Sequence, residues 1–171
     1  MKYQIQAKYD PEQDRILFSV GDGDALRHAV WLTRRYTLLL LKVFGEFINR
    51  DIDVAPQAGD LERAEIRDWK AQKALDKANF SKPFDAEAEI EAIADTPLAL
   101  ELTYKMDKER LSSSLKSKAQ PALNLTVDRD LAFRLIATIG NDAMAGDWQI
   151  PQGFLSSASS EGQSPSARTI N

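Results

Sequence analysis

Tyr3, Ile5, Ala7 and Tyr9 alternate with Gln4, Gln6 and Lys8, the two-residue period of a strand with one buried face. Asp10-Pro11-Glu12-Gln13-Asp14 follows as a turn, because proline presets φ and Asp side chains bond nearby backbone N–H groups. Residues 16–20 predict a second strand. Gly21-Asp22-Gly23-Asp24 tolerates the backbone of a tight hairpin and leads into a third strand over 25–32. The period then changes. Tyr36, Leu40, Val43 and Phe47 recur at helical spacing, widened by Leu39, Phe44 and Ile48, and Thr33 stands where an N-cap belongs, which predicts a helix over 34–49. Arg34 and Arg35 in its first turn oppose the helix dipole and point to an anionic neighbour.

The next stretch has another character. Residues 61–79 have helix-forming composition with few large apolar anchors, Leu61, Ile66, Trp69 and Leu75, as in a surface helix. Phe80-Ser81-Lys82-Pro83-Phe84 breaks that helix, and 85–95 is an acidic stretch that reads as a second short helix or a linker. Alternation returns at Leu98, Leu100, Leu102, Tyr104 and Met106. A polar turn over 107–110 follows, then short strands over 111–115 and 122–127, and Asp128 as the cap of a helix faced by Leu131, Leu135, Ile136, Ile139 and Ala143 that ends near Gly146. Trp148 and Ile150 are placed to fold back onto the core.

A strand triplet followed by a helix thus occurs twice, with Ala29-Val30-Trp31-Leu32-Thr33 in the first half set against Ala122-Leu123-Asn124-Leu125-Thr126 in the second. The fold expected is α+β: two antiparallel β-meander-plus-helix units, 1–50 and 98–150, around a charged helical insertion over 51–97. The Ser-, Gly- and Gln-rich residues 151–171 are expected to be disordered.

Composition narrows the chemistry. The 171 residues include no Cys and one His, so thiolate nucleophiles, disulfides and Cys-ligated metal sites are excluded. The absence of Cys, and of an apolar leader after Met1, leads to the expectation of a cytoplasmic protein. Net charge is −4, concentrated in the middle: 51–97 carries 6 Lys/Arg against 12 Asp/Glu, while 1–50 carries 8 against 6 and 98–171 carries 8 against 8. Such a balance disfavours binding nucleic acid by phosphate neutralisation alone.

Candidate chemistry is sparse. His28 lies mid-strand, where a core or hairpin-facing histidine is expected. Asp22 with Asp24, and Asp51 with Asp53, are the carboxylate pairs open to metal or acid–base work, although Gly-Asp-Gly-Asp is also ordinary turn sequence and no Glu closes an EF-hand loop. Gly21-x-Gly23 lacks the Lys-Ser/Thr ending of a phosphate loop. No catalytic residue, metal set or cofactor is expected.

The segment Trp31-Leu32-Thr33-Arg34-Arg35, after Asp14-Arg15-Ile16-Leu17-Phe18 and before a Leu-rich helix, resembles a pattern in an uncharacterised bacterial protein family, a resemblance that implies a bacterial source and assigns no site. Paired sheet-plus-helix units also resemble, in architecture, the duplicated single-strand binders of the Whirly kind.

The reading favoured by elimination is a non-enzymatic protein-interaction or assembly module, with the insertion as partner-facing arm and Arg34, Arg35, Trp69, Phe80 and Phe84 as partner-binding residues. The apolar run 38–41 suggests a homodimer through the first helix. The alternatives are a single-stranded nucleic-acid binder using Arg27, Trp31, Tyr104, Lys105 and Arg110, and a metal-dependent enzyme built on the carboxylates.

Overall fold

The computed structural model describes residues 4–21, 26–57, 59–76, 96–119 and 121–150. Strands β1 (Gln4–Asp10), β2 (Arg15–Gly21) and β3 (Leu26–Leu32) form an antiparallel meander, followed by α1 (Arg34–Asn49). Helix α2 (Asp60–Asp76) lies between the units. Strands β4 (Glu101–Met106), β5 (Leu111–Lys116) and β6 (Leu123–Val127) form the second meander, followed by α3 (Arg129–Ala145). The α+β class and the two meander-plus-helix units around a helical segment are therefore the observed architecture. Residues 22–25, 77–95 and 151–171 lie outside the described residues, and with them Asp22, Asp24, Phe80, Phe84, the second insertion helix and the tail.

Both helices start as their sequences dictate. Thr33 accepts the Tyr36 N–H and Asp128 accepts the Leu131 N–H at 2.8 Å, each satisfying one donor that the first helical turn leaves unpaired. The meanders alternate accordingly. On β5 and β6 Leu111, Leu115, Leu123, Leu125 and Val127 face inward, while Ser112, Lys116, Asn124 and Thr126 face water. One core runs through both units. Ile16, Phe18, Val30 and Leu32 of the first sheet, Leu40, Phe44 and Phe47 of α1, and Phe133, Ile136 and Ile139 of α3 are all at most 4% exposed within it.

The two sheets meet at one parallel bridge. The Trp31 N–H donates to the Pro97 carbonyl and the Ala99 N–H to the Trp31 carbonyl, both at 2.9 Å. Trp31 is buried with Leu17, Ala29 and Leu98 in a small cluster on the far face of the first sheet. The outer edge of that sheet is also contacted: the Tyr9 N–H on β1 donates to the Asp142 carboxylate of α3 at 3.3 Å, which occupies a donor on the strand edge.

Three expectations change. His28 pairs with Val20 but is exposed, not part of the core. Leu40 and Leu41 are fully buried while Leu39 is 45% exposed, so the apolar run of α1 is divided between core and surface. The correspondence between halves shifts by two residues. Tyr9, Ile16 and Leu32 form one cross-strand row ending at the cap Thr33, and Met106, Leu111 and Val127 form the matching row ending at Asp128. Leu32 thus corresponds to Val127 rather than to Leu125.

Candidate functional site

The sequence after α1 is short, acidic and close to a helix carboxyl end, where cations are favoured. Helix α2 supplies them at spacings of four and three residues, which places them on one helix face. Arg63 donates to the Gln57 carbonyl at 2.9 Å, Arg67 to the Asn49 side chain at 3.2 Å, and Lys70 to the carboxylates of Asp51 at 2.5 Å and Asp53 at 2.7 Å. The Asp53 N–H also donates to Asp51. Burial pushes the Asp51 carboxyl up, but Lys70 and the Asp53 N–H, helped by the charge of Arg129, outweigh it and hold the group below its ordinary range. Burial likewise pulls Lys70 down, and its two carboxylate partners reverse this and raise it. The insertion helix is therefore attached by a basic stripe, with the small side chains of Ala71 and Ala74 fully buried on its inner side.

Two large apolar residues of α2 face outward. Leu61 is 72% and Trp69 59% exposed, with the Lys73 ammonium 4.6 Å from the Trp69 ring centroid. Ile52, between the two carboxylates that Lys70 holds, is 83% exposed.

Ile52 also lines an open cleft of about 890 Å³. Its walls come from the end of α1 (Arg50, Asp51, Ile52), the β4–β5 turn (Met106, Asp107, Lys108, Glu109) and the start of α3 (Asp128, Arg129, Asp130). The turn is tied by Asp107, which accepts the backbone N–H groups of Glu109 and Arg110 at 2.8 and 2.7 Å. Arg129 is wedged between the Phe47 ring, 3.8 Å from its centroid, and the Lys108 carbonyl, to which it donates at 3.2 Å. Burial pulls this guanidinium down from its ordinary value against the attraction of Asp51, and its Nη1 is buried without a hydrogen-bond partner.

The sequence-predicted residues are not brought together. Arg34 and Arg35 are exposed at the amino end of α1, where the charge of Arg34 adds to the larger effects of the Trp148 and Tyr9 hydrogen bonds that hold the Asp14 carboxyl low. Trp69 lies on α2, whose attachment is at the other end of α1, about 24 Å away along a 16-residue helix. For the nucleic-acid set, Trp31 is buried, Tyr104 and Lys105 are consecutive strand residues on opposite faces, and Arg110 sits in the β4–β5 turn. Arg27 lies in β3. Asp51 and Asp53 do converge, but on Lys70. No cluster of three His, Cys, Asp or Glu fit to hold a metal occurs among the described residues.

Among the described residues no helix is long and apolar enough to cross a membrane. Comparison with protein-family models, curated proteins and solved structures finds no match, so the resemblance to an uncharacterised bacterial family gains no support from them.

Proposed function

We propose that the protein is a non-enzymatic interaction module whose partner is another protein, bound on the surface formed by the outward side of α2 and the loop that carries Ile52. The observation that carries this reading is the exposure of Ile52, Leu61 and Trp69 on and beside one polar-attached helix. Isolated exposed apolar residues are common, but Ile52 and Trp69 are sequence neighbours of the same Asp51–Lys70 ion pair, which gathers them at one end of the molecule. Tryptophan is also enriched among the residues that contribute most to protein–protein affinity.

Affinity capture from the native source should recover a partner with the wild-type chain and lose it with Leu61→Ser/Trp69→Ser. Both side chains are solvated, so that variant keeps the fold. Deleting 51–97 is a poorer test, because it removes Ala71, Ala74 and Lys70 from the core and the ion pair and exposes α3. Equal capture by the wild type and the double variant would remove this surface as the site.

A further inference from the structure

A strand at the edge of a sheet turns a row of unpaired N–H and C=O groups outward, ready to pair with another strand. Two of the outer strands are engaged. On β1 the Tyr9 N–H goes to Asp142, and on β3 Trp31 bridges to Pro97 and Ala99. The edge of β4 is open. The Asp107 N–H donates to the Arg110 carbonyl at 3.0 Å, which with the β4–β5 register turns the backbone groups of Glu101, Thr103 and Lys105 towards β5 and those of Leu102, Tyr104 and Met106 towards the outer edge. Among the described residues no hydrogen bond reaches these outer groups. The Tyr36 hydroxyl donates to the Glu101 carbonyl at 3.1 Å, and the open stretch begins just beyond it. The outer edge of β6 is shorter, with only Asn124 and Thr126 turned outward.

The side chains of β4 suit pairing. Leu102, Tyr104 and Met106 share the core-facing side of the sheet, where Leu102 and Met106 pack against the core while Tyr104, at its margin, is 49% exposed. Glu101, Thr103 and Lys105 lie exposed on the opposite side.

We propose that the edge of β4 pairs with β4 of a second copy of this chain, antiparallel across a two-fold axis at Thr103, so that the two second sheets become one. The occupant is a second copy because the strand is complementary to itself. An axis at Thr103 sets Leu102 opposite Tyr104 of the second copy, and these two residues exchange N–H···O bonds because both turn their backbone groups outward. The same register sets Glu101 opposite Lys105 of the second copy, an opposite-charge pair that the symmetry repeats. Glu101 accepts Lys116 through Oε1 at 2.8 Å, which leaves Oε2 for the incoming ammonium. Other registers lose this match. An axis at Tyr104 sets Glu101 against Asp107, a like-charge pair, and an axis at Leu102 sets Lys105 against Ala99, whose N–H is already bonded to Trp31. The pairing does not rest on the α2 surface.

The test uses the full chain. Sedimentation velocity should show a monomer–dimer equilibrium over roughly 1–500 μM, since a contact along one short edge is small and binds weakly. Glu101→Lys and Lys105→Glu should each weaken association by roughly tenfold or more, because each sets like charges opposite one another, and an equimolar mixture of the two variants should dimerise again. Tyr104→Pro removes an N–H with no partner inside the chain, so it should keep the wild-type circular dichroism and stay monomeric. In the wild type the Leu102 and Tyr104 amides should exchange more slowly as chain concentration rises. A wild type that is monomeric throughout, a dimer that both single charge variants leave intact, or charge variants that stay apart when mixed overturns the proposal. Leu102 and Tyr104 amides protected equally at every concentration overturn it too, since the edge would then be covered within one chain.

Discussion

Trp148 donates its indole N–H to the carboxylate of Asp14 at 2.7 Å across 134 residues of sequence, joining the segment after the last helix to the first β-turn. The Tyr9 hydroxyl donates to the same oxygen at 2.9 Å, so one carboxylate organises two aromatic rings. These two donors hold the Asp14 carboxyl below its usual range and the shared bond raises the Tyr9 phenol. Ile52, which follows the end of α1, is by contrast 83% exposed, and the contrast between the two side chains makes the account testable.

Trp148→Ala should cost about 3–5 kcal/mol, the range for removing a buried large aromatic. Ile52→Ala should change stability by less than about 0.5 kcal/mol because its side chain is already in water. Urea unfolding of the two variants measures both, and similar losses would contradict the difference in burial between the two side chains.

Gly146→Ala should destabilise by about 1–3 kcal/mol, the range for overpacking, because the new methyl meets the Tyr9 ring. In a Tyr9→Ala background the same change should cost much less. A double-mutant cycle gives the coupling, and additivity would show that the ring is not what the methyl meets.

Lys70→Ala leaves Asp51, which is 6% exposed, without its cation and should cost about 3 kcal/mol. Asp53→Asn should cost under about 1 kcal/mol, since that carboxylate is 60% exposed. Because the Asp51 carboxyl lies below its unfolded value of ~4, its contribution is complete above that value and is lost as pH falls through the lower folded value. Wild type and Lys70→Ala should therefore converge in stability as the solution is acidified, which unfolding at stepped pH reads directly.

Asp142 behaves in the opposite sense. Burial raises its carboxyl, and the Tyr9 N–H only partly offsets this. Folding is thus unpenalised below the unfolded carboxylate value, and the penalty grows as pH rises towards the higher folded value and is complete above it. Asp142→Asn keeps an oxygen for the Tyr9 N–H and removes the charge, so it should stabilise at pH 7 and by less at pH 4. Destabilisation at pH 7 in thermal melts would show that the ionised form is needed.

The elements were legible because local signals agreed: the helix over 34–49, both N-caps and the strand alternation follow from period and capping chemistry alone. The attachment of α2 was not legible. Its apolar residues look like anchors in the sequence, whereas Leu61 and Trp69 face water and Arg63, Arg67 and Lys70 make the contact. Spacing shows which residues share a helix face but not which face meets the protein. The cleft was missed for a related reason, since it joins a helix end from one unit to a turn in the other. Leu32-Thr33-Arg34 and Val127-Asp128-Arg129, each an apolar strand end, a cap and an arginine, mark the corresponding helix starts, which the Leu-Thr match of 32–33 with 125–126 hides.

The most direct measurement of the central claim is amide hydrogen exchange of the full chain with and without its captured partner. Protection should concentrate at residues 50–53 and 61–73, the loop that carries Ile52 and the outward side of α2. Protection confined to the polar outer face of β4, β5 and β6, with those segments unchanged, would contradict it.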